Sequence, residues 1–266
     1  MALTTIGLMA LLGCFTGFMA GLLGIGGGMI ITPFLIMLIP SSLIPHEHIV
    51  HVAIATSLAT IAFTSLSSVR AHHKRGAVLW NVVASVAPGI LVGAVVGAQI
   101  AGWLPTFWLS LIFAAFVGFS AFKMFLNKSP RPDRNLPGTI GKFFMGIAIG
   151  ILSALVGAGG GFISVPWMIW CNVKMQNAVA TSAAFGFPIA LFGTIGYIIS
   201  GWNVSGLPPW PIDLGYICIP ALFSVAITSV LFAPLGAKVA HSIDTKPLKK
   251  IFACLLCFVC LYMIRQ

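Results

Sequence analysis

Six apolar blocks of about 20 residues, the length a bilayer core requires, run at about 50–70, 77–102, 105–127, 177–200, 212–238 and 247–264. Each predicts a membrane-spanning helix. Two longer apolar regions, 3–40 and 143–170, are interrupted by glycine in "GLLGIGGGMIITP" (21–33) and "ALVGAGGGFISVP" (154–166). Between these two sets of blocks lies the polar, proline-rich stretch "NKSPRPDRNLPG" (127–138), which has the composition of a linker. The predicted organisation is a first transmembrane repeat over 1–126, a linker over 127–141 and a second transmembrane repeat over 142–266.

The halves are copies of one another. Residues 17–36 aligned with 150–169 give nine identities in twenty positions, among them Gly24, Gly26, Gly27, Gly28 and Pro33 against Gly157, Gly159, Gly160, Gly161 and Pro166. "AIATS" (53–57) matches "AVATS" (178–182), and Gly97, Ala98 and Phe113 match Gly236, Ala237 and Phe252. Internal duplication of this kind is a common build of secondary transporters, where discontinuous helices form a site at the repeat interface.

Composition narrows the class. With 59% hydrophobic residues, 7% charged residues and a mean hydropathy of +1.07, the chain carries more apolar surface than a soluble fold can hide from water. The N-terminal "MALTTIGLMALLG" has no Lys or Arg ahead of its apolar run, so it is expected to persist as the first membrane segment rather than as a signal peptide. The formal charge of +10 sits in short loops, which points to membrane orientation and away from a nucleic-acid partner. If each glycine-broken region enters and leaves on one side, 13 of the 14 basic residues share a face and only Arg265 lies opposite. If both regions cross once, the division is nine to five. The first arrangement predicts an all-α polytopic membrane protein built of two inverted repeats. Each repeat is then a glycine-broken helical hairpin plus three transmembrane helices, with the linker cytoplasmic and both termini outside.

Glycine ends a helix cheaply, and the segment that restarts near Met29 or Phe162 presents unpaired N–H groups at a positive helix end that attracts anions. From Met29 to Ile39 a helix rises only about 16 Å, so each turn is expected inside the membrane, where irregular backbone is tolerable beside a cavity or within protein. The candidate substrate site comprises Gly26, Gly27, Gly28, Met29, Thr56 and Ser57 from the first repeat, with Gly159, Gly160, Gly161, Phe162, Thr181 and Ser182 from the second. Close helix packing is the competing reading of each glycine run, and bonds back to a helix carbonyl are the competing reading of each hydroxyl.

The paired glycine motifs, the "ATS" element after each, and "GAQIAGWLP" and "GAKVAHSID" late in the halves resemble the sulfite exporter TauE/SafE family over essentially the whole chain. The resemblance implies a permease for small sulfur-containing anions such as sulfite, sulfonates or sulfoacetate. It also implies no catalytic activity, and the bacterial inner membrane as the location. No cofactor is expected, and the chain by itself is silent on oligomeric state.

Three other features carry chemistry. His46, Glu47, His48 and His51 in "HEHIVH" suggest metal binding, and the alternative function is a membrane-embedded metal-handling or redox assembly protein using His46, His48 and His51. No cysteine or second carboxylate completes a ligand set there. Cys254, Cys257 and Cys260 have cluster-like spacing, but they align with Ala115, Gly118 and Ala121 and are expected to be small packing residues. The four acidic residues, Glu47, Asp133, Asp213 and Asp244, fall in loops or at segment ends, so no buried carboxylate is expected as a proton relay, and uncoupled export is favoured.

Overall fold

The computed structural model describes residues 3–23, 27–40, 43–126, 135–208, 212–240 and 246–263. In chain order the first half forms α1 (Leu3–Leu23), α2 (Gly28–Leu38), α3 (Ile49–His73), α4 (Trp80–Trp103) and α5 (Thr106–Leu126). The second forms α6 (Thr139–Val156), α7 (Gly161–Trp170), α8 (Met175–Gly201), a short antiparallel hairpin of β1 (Asp213–Leu214) and β2 (Ile217–Cys218), α9 (Ile219–Ala240) and α10 (Lys246–Met263). Among the described residues seven helices are long and apolar enough to cross a membrane. Side chains such as Leu11, Phe122, Leu231 and Leu261 point outward from the bundle, as lipid-facing positions do.

The helix ends fall close to the expected ones, with one displacement. The block expected at 212–238 begins as a hairpin and becomes helical only at Ile219. Gly215 adopts φ 60 and lies against the backbone of Ile198, too close for a side chain, so the chain folds back onto α8. Pro220, in the first turn of α9, suits a helix start because it has no N–H to satisfy.

Packing follows the duplication. Helix α1 lies on α9 as α6 lies on α4, α4 lies on α8 as α9 lies on α3, and the short helices α2 and α7 rest on α3 and α8 respectively. Directions follow from paired residues. Gly13, Gly17 and Gly21 meet Val225, Ser229 and Ala233 in turn, so α1 and α9 run the same way at glycine-mediated close approach. Thr64 bonds Ser229 and Ser67 bonds the Val230 carbonyl, so α3 also runs with α9. Gly186 faces Ser65 and Gly193 faces Leu58, so α8 runs against α3. Gly89 and Gly97 face Phe143 and Ile151, so α4 and α6 run together.

The glycine breaks differ from simple half-membrane hairpins in one respect. Helix α1 has 21 residues, roughly 31 Å, and is a full span, while the 11 residues of α2 cover only about 16 Å. Gly27 packs against the carbonyl of Thr16, well back along α1, and Gly28 against Ile61, midway along α3. The chain therefore doubles back before α2 starts. That start lies in the middle of the bundle.

Candidate functional site

The two breaks have the same local conformation. Gly27 (φ 72, ψ −12) and Gly160 (φ 75, ψ −8) are left-handed N-caps of α2 and α7, a conformation that a side chain would strain. Neither cap has a side-chain partner. Ile30 and Ile31 donate back to the Gly27 carbonyl at 3.1 and 3.2 Å, and Ile163 and Ser164 to the Gly160 carbonyl at 3.2 and 3.0 Å. The N–H groups of Gly28, Met29, Gly161 and Phe162 thus stand ahead of the helix ladder. Pro33 and Pro166 sit one turn on, where each lacks the N–H that would bond the Met29 and Phe162 carbonyls.

The breaks meet. A Cβ on Gly28 would fall on the Gly157 carbonyl oxygen, and Gly157, at φ 63, caps the end of α6. The Ser57 hydroxyl donates to the Gly157 carbonyl at 3.1 Å, with the Gly28 carbonyl at 3.4 Å, so one side chain of α3 ties both breaks together. On the equivalent helix α8, Ser182 accepts from Ser164 at 2.9 Å. Met29 is buried, and half-buried Phe162 meets Phe116 edge to face. Gly159, Gly160 and Gly161 are buried in the same centre, whereas Gly26 lies outside the described residues.

Thr56 and Thr181 are engaged elsewhere. Thr56 Oγ1 accepts the N–H of Cys218 at 3.0 Å, just before α9, and Thr181 Oγ1 accepts the N–H of Leu79 at 3.0 Å, just before α4. Each threonine satisfies a backbone donor at the start of a helix in the other half.

Sequence reasoning missed Thr32 and Ser153. Both hydroxyls are buried without a hydrogen-bond partner. Thr32 Oγ1 lies 3.0 Å from where a Cβ on Gly157 would stand, and Ser153 Oγ 3.3 Å from one on Gly160. Their repeat mates are Val165 and Ala20, so a hydroxyl facing an apolar residue across the alignment was the available signal.

Two of the remaining candidates, His51 and Cys260, have structural partners. His51 is buried, and its Nε2–H donates to the carbonyls of Ala101 (3.1 Å) and Leu104 (3.0 Å) at the end of α4. Its ring stacks on Tyr216 at 5.1 Å. His46 and Glu47 are exposed, with Glu47 Oε1 3.5 Å from His48 Nε2, and no metal-sized cluster of His, Cys, Asp or Glu forms among the described residues. Cys260 packs beside Gly118 and donates to the Ala114 carbonyl, as a small interface residue does, while Cys254 and Cys257 face outward from α10.

Asp213 overturns the expectation that no carboxylate is buried. The hairpin carries it inward until it is 4% exposed, with neither carboxylate oxygen hydrogen-bonded. Burial pushes its carboxyl up to about 6, while the facing Cys218 thiol pulls the other way. Cys218 is its register partner, and burial raises that thiol to about 12. The cause of the missed burial is the fold-back at Gly215, which hydropathy does not register.

Long lipid-facing helices around two buried helix starts define a polytopic α-helical membrane protein of transporter type. The profile of the sulfite exporter TauE/SafE family matches residues 9–263, and the chain belongs to that family. A probable membrane transporter protein of Haemophilus influenzae is 34% identical over 261 residues, 98% of each chain. The probable membrane transporter protein YdhB of Bacillus subtilis is 30% identical over 194 residues, covering 70% of this chain and 76% of that one. Another, of Methanocaldococcus jannaschii, is 27% identical over 265 residues, 97% of this chain and 94% of its own. No solved structure matches. The chain is a membrane transporter of a permease family rather than an enzyme.

Proposed function

We propose that this protein is a permease that exports small anions, sulfite or organosulfonates, across the bacterial inner membrane, holding them at the paired glycine breaks. The observation that carries the reading is the contact of the two glycine breaks, Gly28 against the Gly157 carbonyl, with left-handed Gly27 and Gly160 each opening a short buried helix whose first N–H groups lie outside its ladder. The site takes in Gly26 to Met29 and Gly159 to Phe162, with Ser57 and Ser182 beside them and Thr56 and Thr181 bracing the adjoining helices.

The repeats, 1–126 and 142–266 around the linker 127–141, are inverted in this proposal. The helix directions support it: α8 runs against its own repeat mate α3, as Gly186 on Ser65 and Gly193 on Leu58 show, whereas uninverted repeats would run them the same way. The charge pattern supports a cytoplasmic linker and external termini.

An anion leaving a cytoplasm that is negative inside gains about 2.3 kcal/mol per charge for each ~100 mV, so export needs no coupling ion. Proteoliposomes loaded with sulfite or methanesulfonate and clamped with valinomycin test this. Efflux should follow the imposed potential and persist without Na+ or a pH gradient. A second reading, proton-coupled uptake, is favoured by the buried carboxyl of Asp213. Concentrative uptake that requires an inward proton gradient would establish it and remove the exporter reading.

A further inference from the structure

The geometry points to a single anion site on the second glycine turn, with Thr32 and Ser153 as its hydroxyl donors and a singly charged oxyanion as its ligand. This deepens the permease reading and rests on it. A buried hydroxyl in a membrane helix ordinarily bonds a carbonyl one turn back, as Thr60, Thr64 and Ser120 do here. Thr32 and Ser153 make no such bond, although Thr32 is 0% and Ser153 2% exposed. They flank the turn from two sides, Thr32 on α2 against Gly157 and Ser153 on α6 against Gly160. An unpaired buried hydroxyl is costly, so two of them on one turn imply a partner that arrives with the substrate.

The first turn has no such pair, because Val165 and Ala20 occupy the equivalent positions. The pseudo-symmetry of the backbone is therefore broken by chemistry, and one anion per chain belongs at Gly157 to Phe162. The ligand's charge follows from what surrounds it. Each Lys and Arg whose burial is described, from Arg70 to Lys238, lies near a helix end or in a loop and is exposed or half-buried. The buried histidines His51 and His72 stand at opposite ends of α3, each with Nε2 against backbone carbonyls. Among the described residues only hydroxyls and N–H groups are placed to hold the charge, and the desolvation cost rises with the square of that charge. Such a site accepts R–SO3− or hydrogensulfite and rejects sulfate.

Thermal shifts of the purified protein with methanesulfonate, sulfite and sulfate, each titrated at two pH values, test the inference. Methanesulfonate should bind at both pH values, sulfite better at the lower one where hydrogensulfite predominates, and sulfate not at all. Thr32→Val and Ser153→Ala should each weaken methanesulfonate roughly tenfold, the scale of a lost hydrogen bond to a charged group. Neither should lower the melting temperature of the ligand-free protein, because each removes an unsatisfied group. Ser110→Ala, which deletes another buried unpaired hydroxyl, on α5, should leave binding unchanged. Wild-type binding in Thr32→Val and Ser153→Ala, or sulfate bound as well as methanesulfonate, overturns the inference and leaves the permease reading intact. Binding of none of the three anions overturns both.

Discussion

Replacing Asp213 by Asn removes the carboxyl whose titration is tied to the seating of the 212–218 hairpin. The carboxyl stands at about 6 against an ordinary 3.8, because burial disfavours its charged form. Two units at about 1.36 kcal/mol each amount to roughly 3 kcal/mol between the two protonation states. The sign follows from linkage. The seated hairpin binds the proton more tightly than a released one, so its stabilisation is complete below the ordinary value and is lost as pH rises through about 6. Asn is neutral throughout and keeps the hairpin seated at every pH. Few titratable groups surround it. Cys218 faces Asp213 across the hairpin, Tyr216 stacks on His51 and lies 6.3 Å from Tyr197, and His48 is 6.0 Å from Tyr216. Amide exchange of residues 212–218, taken as the ratio of wild type to Asp213→Asn so that chemical exchange cancels, should rise about a hundredfold between pH 4 and pH 8. Infrared difference spectra should show a carboxylic-acid band lost near pH 6 in wild type and missing in Asp213→Asn. Equal exchange in the two proteins at pH 8, or no carboxyl titration between pH 5 and 7, would refute the reasoning.

Gly27→Leu and Gly160→Leu should abolish sulfite or methanesulfonate flux while leaving the protein in the membrane, because a Cβ at Gly27 meets the Thr16 carbonyl at 2.8 Å and both glycines hold positive φ; normal flux in both variants removes the glycine breaks from the site. Thr56→Val should lower thermal stability by about 1–3 kcal/mol by orphaning the buried Cys218 N–H, without changing the affinity of whatever anion binds at the glycine turns. A cysteine placed at Asn135 should react only with cytoplasmic reagent and one at Ser205 only with external reagent, and labelling of both from one side would end the inverted arrangement.

Long blocks of one character were legible from hydropathy alone, and α3, α5 and α8 end within three residues of their expected limits. The glycine restarts, expected near Met29 and Phe162, occur one residue earlier at Gly28 and Gly161. What escaped depends on distant partners. "IDLGYIC" runs on into the apolar helix it precedes, and the contact of Gly215 with Ile198 turns it into a hairpin and buries Asp213. Thr56 and Thr181 were singled out for their sequence proximity to the breaks, yet the N–H groups they accept belong to Cys218 and Leu79, more than 100 residues away. Thr32 and Ser153 were passed over because a single hydroxyl in an apolar run has no local mark. Their meaning comes from the carbonyl bonds they do not make.

The pairing of α1 with α9 has a temporal consequence. The glycine face of Gly13, Gly17 and Gly21 is shaped for backbone near Val225, Ser229 and Ala233, some 212 residues further along the chain. At about 5–20 residues per second of synthesis, α1 spends roughly ten to forty seconds in the bilayer before its partner exists. During that interval its close-packing surface faces lipid, and the first half of the chain has nothing to close it. Helix α6, by contrast, finds α4 already made. The seating of α9 between α1 and α3 is therefore a late step of assembly, followed only by α10 against α5, and a chain cut before Ile219 leaves the oldest helix of the protein without its neighbour.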